Sequence, residues 1–472
     1  MGQKGRRTFK FLNNRNKNKE LKRSPIKYYS TNLRAREISF REALLKGLAP
    51  DGGLYVPFSI PSLSKEEIES IFFSDYQETA FIILKKILGD ELEESILMNI
   101  CRDAYSFRIP LERIFNRNYV LRLDQGPTAS FKDFAAQVMS RLMNYYASLD
   151  KIHLTVLTAT SGDTGSAIAS AFQGLENIDV IILFPFGEVT EIQRKQMTTL
   201  GKNIRVIAVD GKFDDCQRLV KQAFNDASLS GQQLSSANSI NIGRLLPQSV
   251  YYFYSWSRLA TNPDEKIIFS VPSGNYGNLM GGIIAREMGL PVEKFIISTN
   301  SNDEVPRYLA TGVYSTINPS VNCISSAMNV GHPSNFARII ALYGGIMDEN
   351  GIIIKEPDLE RLRRDFYGVS VSDEDTRETI LESYRRYRLL LEPHGAVAWR
   401  GLEIYQDVFK TADLLAISLE TAHPAKFNDE LSRILGFSAE MPDSLMDVID
   451  KTEDFIKIEN NYPKLKDIIL KR

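Results

Sequence analysis

Lys132 follows Gly126-Pro127-Thr128-Ala129-Ser130-Phe131 and precedes Asp133-Phe134-Ala135-Ala136-Gln137. Val120-Leu121-Arg122-Leu123 alternates as a short strand does, whereas Phe131, Phe134, Ala135 and Val138 recur at helical spacing. Lys132 is therefore expected to open a helix just after a turn. An amine on a first helical turn meets the positive end of the backbone dipole, and partial desolvation further disfavours its charged form. Both effects favour nucleophilic attack on a carbonyl, the chemistry of a Schiff-base lysine. Taken alone, a lysine after a turn is far more often a solvated side chain than a catalyst, so its role depends on what stands elsewhere.

Two further turns have the composition of anion sites. Thr158-Ala159-Thr160-Ser161-Gly162-Asp163-Thr164-Gly165-Ser166 places hydroxyls and glycines between an apolar strand and a small-residue helix. It can cap that helix, hold a carboxylate or phosphate on its N–H groups, or do both. Pro272-Ser273-Gly274-Asn275-Tyr276-Gly277-Asn278 follows a second apolar run. Its glycines let backbone amides approach a phosphate, although tight strand-to-helix turns also carry glycine for steric reasons. The segment matches neither the dinucleotide fingerprint nor the nucleotide P-loop, which points to a smaller phosphorylated ligand.

The elements that hold these turns alternate. Apolar strands are expected over 153–158, 180–184, 204–209, 267–271 and 295–298, separated by helices over 163–172, 191–200, 214–227, 244–259 and 279–288. Such alternation predicts parallel sheets covered by helices, with ligands at the carboxyl ends of the strands. Before it, residues 28–118 read as a mostly helical N-terminal domain with helices over 64–72 and 76–87. The catalytic α/β core, in two subdomains, is expected over 119–440. Within it 301–356 reads as loop-rich, 358–367 and 373–391 as helices, and 413–419 as a last strand before Glu420-Thr421-Ala422-His423-Pro424. Residues 441–472 read as a C-terminal helical segment.

The net charge of −2 supplies no global field toward nucleic acid or an anionic membrane. Hydrophobic residues at 43% allow a large core, yet no apolar stretch has the length of a membrane span. Cys101, Cys216 and Cys323, like His153, His332, His394 and His423, are scattered, which indicates neither a disulfide framework nor a clustered metal site. A cytoplasmic setting is the expectation. Residues 1–27 hold ten Lys or Arg against Glu20 alone and read as a basic disordered arm.

Four runs together, in this order, resemble the threonine synthase family. They are Gly126-Pro127-Thr128-Ala129-Ser130-Phe131-Lys132-Asp133-Phe134, Ser161-Gly162-Asp163-Thr164-Gly165, Ser273-Gly274-Asn275-Tyr276-Gly277-Asn278 and Thr421-Ala422-His423-Pro424-Ala425-Lys426-Phe427. The resemblance starts near Tyr28-Tyr29-Ser30-Thr31-Asn32, similar to the family's opening strand, and runs past Phe427. It implies a pyridoxal-phosphate enzyme of the tryptophan-synthase-β-like fold (fold type II), with two parallel-sheet α/β domains. On that resemblance Lys132 would hold pyridoxal 5′-phosphate and Gly274, Asn275, Tyr276, Gly277 and Asn278 its phosphate. Thr421 would face the pyridine nitrogen, where a hydroxyl, unlike a carboxylate, does not enforce protonation. Ser161, Asp163 and Thr164 would meet the substrate. Arg338, with Arg194 and Lys195 as further candidates, would bind the substrate phosphate, and no metal is implied.

The implied reaction converts O-phospho-L-homoserine and water to L-threonine and phosphate by γ-elimination and β-addition, the last step of threonine biosynthesis, in a monomer or homodimer. Ala129-Ser130 and Tyr276 depart from the residues more usual at those places, which leaves room for altered substrate choice. A related phospho-lyase releasing 2-oxobutyrate and a cysteate synthase share the same motifs. A non-catalytic protein binding nucleic acid through the basic arm lacks any use for the four runs.

Overall fold

The computed structural model describes residues 26–471. Apart from its last two residues, the basic arm read over 1–27 lies outside them. The apolar runs form interior strands: Leu154–Ala159, Ile267–Pro272 and Leu415–Glu420 are buried at every position, as strands covered on both faces must be.

Two sheets carry the fold. The larger runs in the order Phe366–Ser370, Val292–Thr299, Ile267–Pro272, Leu415–Glu420, Asn118–Arg122, Leu111–Phe115. Its neighbours are parallel except for the last pair, which is antiparallel. The second runs Ile456–Glu459, Ile204–Asp210, Ile178–Pro185, Leu154–Ala159, Leu234–Ser235 and is parallel throughout. This is the expected α/β architecture, with most of its expected strands and helices in place.

Several boundaries differ. The segment 441–472, read as helical, contributes the edge strand Ile456–Glu459 between two helices, Asp443–Met446 and Tyr462–Leu470. Strand Leu111–Phe115, placed by the sequence reading in the N-terminal domain, pairs with Asn118–Arg122 and completes the core sheet. The helix read to Tyr367 ends at Asp365, because Phe366 begins the opposite edge strand. The loop-rich stretch contains helices Glu304–Thr311 and Phe336–Leu342. Helix Pro393–Phe409 was not among the expected helices and is buried over most of its first half. It packs against the larger sheet, where Ser270 Oγ donates to the Ala398 carbonyl at 2.6 Å.

The N-terminal part combines the antiparallel pair Tyr28–Ser30 and Tyr55–Pro57 with helices that start on reciprocal capping boxes at Ser39, Ser64 and Asp75. Among the described residues no helix is long and apolar enough to cross a membrane.

Strands Ile267–Pro272, Leu415–Glu420 and Asn118–Arg122 are adjacent and parallel. Their carboxyl ends therefore lie side by side, and the three turns that leave them carry Gly274, Thr421 and Lys132. Strand Leu154–Ala159 of the second sheet adds the turn of Asp163. Topology alone thus collects the four runs at one place.

Candidate active site

Lys132 is the first residue of the nineteen-residue helix Lys132–Asp150. The loop before it is held by Asp133, whose carboxylate accepts from Thr128 N at 2.9 Å and Thr128 Oγ1 at 2.7 Å. Ala129 takes a left-handed conformation, φ 53°, to make this bend. The loop is stitched to the neighbouring turn: Phe131 N donates to the Thr421 carbonyl at 2.9 Å, and His423 N donates to the Ala129 carbonyl at 3.0 Å. Lys132 and Thr421 are consequently fixed to one another by backbone.

The amine of Lys132 lies 3.4 Å from Asp163 Oδ2. Asp163 Oδ1 accepts from Lys426 Nζ and from Gln193 Nε2, both at 2.9 Å. Burial lowers the pKa of Lys132; Asp163 opposes the shift, while Lys426 and Arg244 reinforce it. For Asp163 burial works against the charge, but Lys426 and Lys132 outweigh it and hold the carboxyl well below its usual range. A nucleophilic amine beside an ionised carboxylate is the result.

Arg244 makes no ion pair among the described residues. It is buried, NH1 donates to the Ala237 carbonyl at 2.7 Å, and Nε finds no partner. Burial brings its pKa down to about 10, with Asp133 opposing. A buried guanidinium so poorly satisfied is costly unless a ligand anion completes it.

The turn after Ile267–Pro272 is shaped for a phosphate. Tyr276 sits at φ 60°, which turns the chain into helix Gly277–Glu287 with the first N–H groups exposed to the turn. A β-carbon at Gly274 would stand 2.9 Å from both the Ala327 carbonyl oxygen and Met328 Cα, so only glycine lets these backbones approach. The hydroxyls of Tyr251 and Tyr252 donate to Asn278 Oδ1 at 2.6 and 2.8 Å, which orients the amide. Asn278 Nδ2 is left as a buried donor with no acceptor. This unfilled donor, beside a helix N-terminus, fits an anionic group such as a cofactor phosphate. Tyr276 contributes its backbone; its ring is buried away from solvent.

Thr421 Oγ1 donates to Glu392 Oε1 at 3.3 Å. Glu392 also accepts from His394 N and Nδ1 and from Gly395 N, while His394 Nε2 accepts from Ala327 N at 3.0 Å. Through this chain Thr421 is connected to the segment that packs on Gly274. Behind it lies Glu420, whose carboxyl is pushed well above the usual range by burial and by Glu392. Arg122 NH1 at 3.4 Å does not reverse this, because the guanidinium is shared with Glu112 and Asp124.

The structure thus brings Lys132, Gly274–Asn278, Thr421, Ser161, Asp163 and Thr164 together at the strand ends, and it commits the expected substrate cations to protein partners. Arg338 is fully buried and spends its donors on the carbonyls of Tyr55, Ser239 and Ile240 and on Asn335 Oδ1. Four of its five N–H groups are taken by protein acceptors, so it acts as a structural pin between chain segments. Arg194 is held bidentately by Glu453, and Lys195 by Glu191 and the Ile449 carbonyl. Ser161 and Thr164 are half-buried and their hydroxyls take no protein partner, which leaves them free for a ligand. Asp163 faces the two lysines. The sequence reading passed over Arg244 and gave Lys426 no role. The available signal was a single charge set in an otherwise apolar run, Ile242-Gly243-Arg244-Leu245-Leu246 and Pro424-Ala425-Lys426-Phe427.

Comparison with known proteins gives the family. The family of pyridoxal-phosphate dependent enzymes matches residues 109–417, the threonine synthase N terminus matches 27–105, and the threonine synthase C-terminal family matches 396–469. The chain is 38% identical over 451 residues to a threonine synthase of Buchnera aphidicola, covering 95% of this chain and 100% of that protein. It is 38% identical to threonine synthase of Escherichia coli, covering 90% and 95%. The crystal structure of PLP-bound threonine synthase from Brucella melitensis superposes with a TM-score of 0.87 at 35% identity, over 94% of this chain and 98% of that one. Threonine deaminase isoform 2 of Solanum lycopersicum, 17% identical over 82% of this chain and 97% of that one with a TM-score of 0.51, shares the fold alone.

Proposed function

The chain belongs to the threonine synthase family of pyridoxal-phosphate-dependent lyases, and on that premise we propose that it converts O-phospho-L-homoserine and water to L-threonine and phosphate. The observation that carries the choice of a phosphorylated substrate is Arg244. The Gly274–Asn278 turn supplies one phosphate cradle, and the unpaired guanidinium supplies charge for a second anion near the same amine.

In this reading Lys132 holds the cofactor, the N–H groups of the Gly274–Asn278 turn and Asn278 Nδ2 hold its phosphate, and Thr421 lies at its ring. When bound, the cofactor supplies the electron sink that acidifies the substrate Cα–H. Ser161 and Thr164 hydroxyls orient the substrate carboxylate, and Arg244 takes its phosphate and helps it leave. Once freed, the Lys132 amine takes the proton at Cα and returns protons during elimination and water addition. Burial lowers its pKa and so favours the neutral amine, and Asp163 stabilises the ammonium formed after each transfer.

The test is Arg244→Met. It is expected to raise KM for O-phospho-L-homoserine more than tenfold while the visible absorption of the bound cofactor is retained. An unchanged KM would remove Arg244 from the substrate site. We further read the enzyme as cytoplasmic and as a monomer or homodimer.

A further inference from the structure

Lys426 is a second lysine in the site, and the reaction just described does not use it. Its side chain is fully buried (0% exposed), against 13% for Lys132, and it is the nearer partner of Asp163, at 2.9 Å against 3.4 Å. It is held in the short turn Pro424–Phe427, where Lys426 N donates to the His423 carbonyl at 3.0 Å. Gln193 fills the rest of the Asp163 Oδ1 position. Its Oε1 accepts from Thr190 N at 3.2 Å, so Nε2 is the atom turned to the carboxylate.

Two amines therefore share one buried carboxylate. The charged groups facing Lys132 are Asp163, Lys426 and Arg244; Asp133, next in the chain, is turned to Thr128. Asp133 acts on Arg244 and Lys426 but not on Lys132, which has Asp163 alone against two cations, and the least firmly paired amine gives up its proton first. Geometry makes that amine Lys132.

We propose that Lys426 is a positioning residue that occupies Asp163, denying this carboxylate to Lys132 and leaving the Lys132 amine neutral for capture of the cofactor aldehyde. The inference rests on the reading of Lys132 as the cofactor lysine. In the capture the amine nitrogen adds to the aldehyde carbon and the carbonyl oxygen leaves as water. A neutral amine supplies both hydrogens of that water, so no net proton is exchanged. Without Lys426, Asp163 would turn to Lys132 and hold it as ammonium.

The experiment measures recapture of pyridoxal 5′-phosphate by the full-length chain after cofactor removal, followed across pH by the visible absorption band and by borohydride fixation mapped to a peptide. For the unsubstituted chain the capture rate is expected to rise with a midpoint below that of an ordinary lysine. Lys426→Met is expected to move this midpoint up by one pH unit or more, and Asp163→Asn combined with Lys426→Met to bring it back. Circular dichroism checks the fold, and Lys426→Gln is read instead if the methionine variant does not fold. An unmoved midpoint in the folded Lys426 variant overturns the proposal. Fixation at a residue other than Lys132, or an unchanged band in Lys132→Ala, instead overturns the underlying assignment of Lys132.

Discussion

Arg338 Nε donates to the Tyr55 carbonyl at 3.0 Å, joining the helix behind the phosphate turn to the N-terminal strand pair. The same guanidinium bonds the Ser239 and Ile240 carbonyls, and through Asn335 it reaches the Asn275 carbonyl, to which Asn335 Nδ2 donates at 2.9 Å. One buried cation thus ties Tyr55 and the Ser239–Ile240 segment to the proposed cofactor cradle without an acidic partner of its own.

Removing that cation leaves several buried carbonyls unpaired. Arg338→Met is expected to destabilise the fold by on the order of 3 kcal/mol, since each orphaned buried acceptor costs roughly 1–3 kcal/mol. Urea unfolding of the cofactor-loaded protein measures it. A change within experimental error would show that the pin is dispensable.

The Gly274 contact makes a local prediction. Gly274→Ala pushes a β-carbon against the Ala327 carbonyl oxygen and Met328 Cα, both backbone atoms that cannot swing aside. The turn must shift, and the dissociation constant for pyridoxal 5′-phosphate is expected to rise at least tenfold by absorbance titration. Far-ultraviolet circular dichroism should stay unchanged, because the strain is confined to the turn.

Glu420 predicts a dependence of stability on pH. Its carboxyl is raised in the folded state by burial and by Glu392, so above its ordinary value of 4.5 the folded chain holds a proton that the unfolded chain has lost. Stability contributed by this group is full below that value and declines as pH rises. Glu420→Gln removes the titration, so the stability of the variant relative to the unsubstituted chain should improve with rising pH, by up to ~1.4 kcal/mol per pH unit. Unfolding series at pH 4, 6 and 8 check the slope; a flat difference would place the carboxylate charge on Glu420 after all.

Much of the site could be read in the sequence because its residues stand on strand-to-helix turns, where local composition and function coincide. Lys132 opened its helix where the period change from strand to helix put it, and Gly274 and Tyr276 shape a turn whose need for glycine is visible in the chain. A fully buried arginine and a ligand-binding one look alike in sequence; the structural part of Arg338 shows only in its carbonyl partners, which come from two distant segments, Tyr55 and Ser239–Ile240. Arg244 and Lys426 were overlooked for the opposite reason, since their importance lies in which partners they lack or share. The edge strand Ile456–Glu459 is exposed at three of its four positions, IKIE, and its identity as a strand comes from pairing with Ile204–Asp210 and not from its own pattern.

The most direct measurement is product analysis after purified protein, loaded with pyridoxal 5′-phosphate, is incubated with O-phospho-L-homoserine. The account predicts L-threonine and inorganic phosphate in equal amounts, both abolished in Lys132→Ala. Release of 2-oxobutyrate without threonine, or no turnover of this substrate by the intact site, would contradict it.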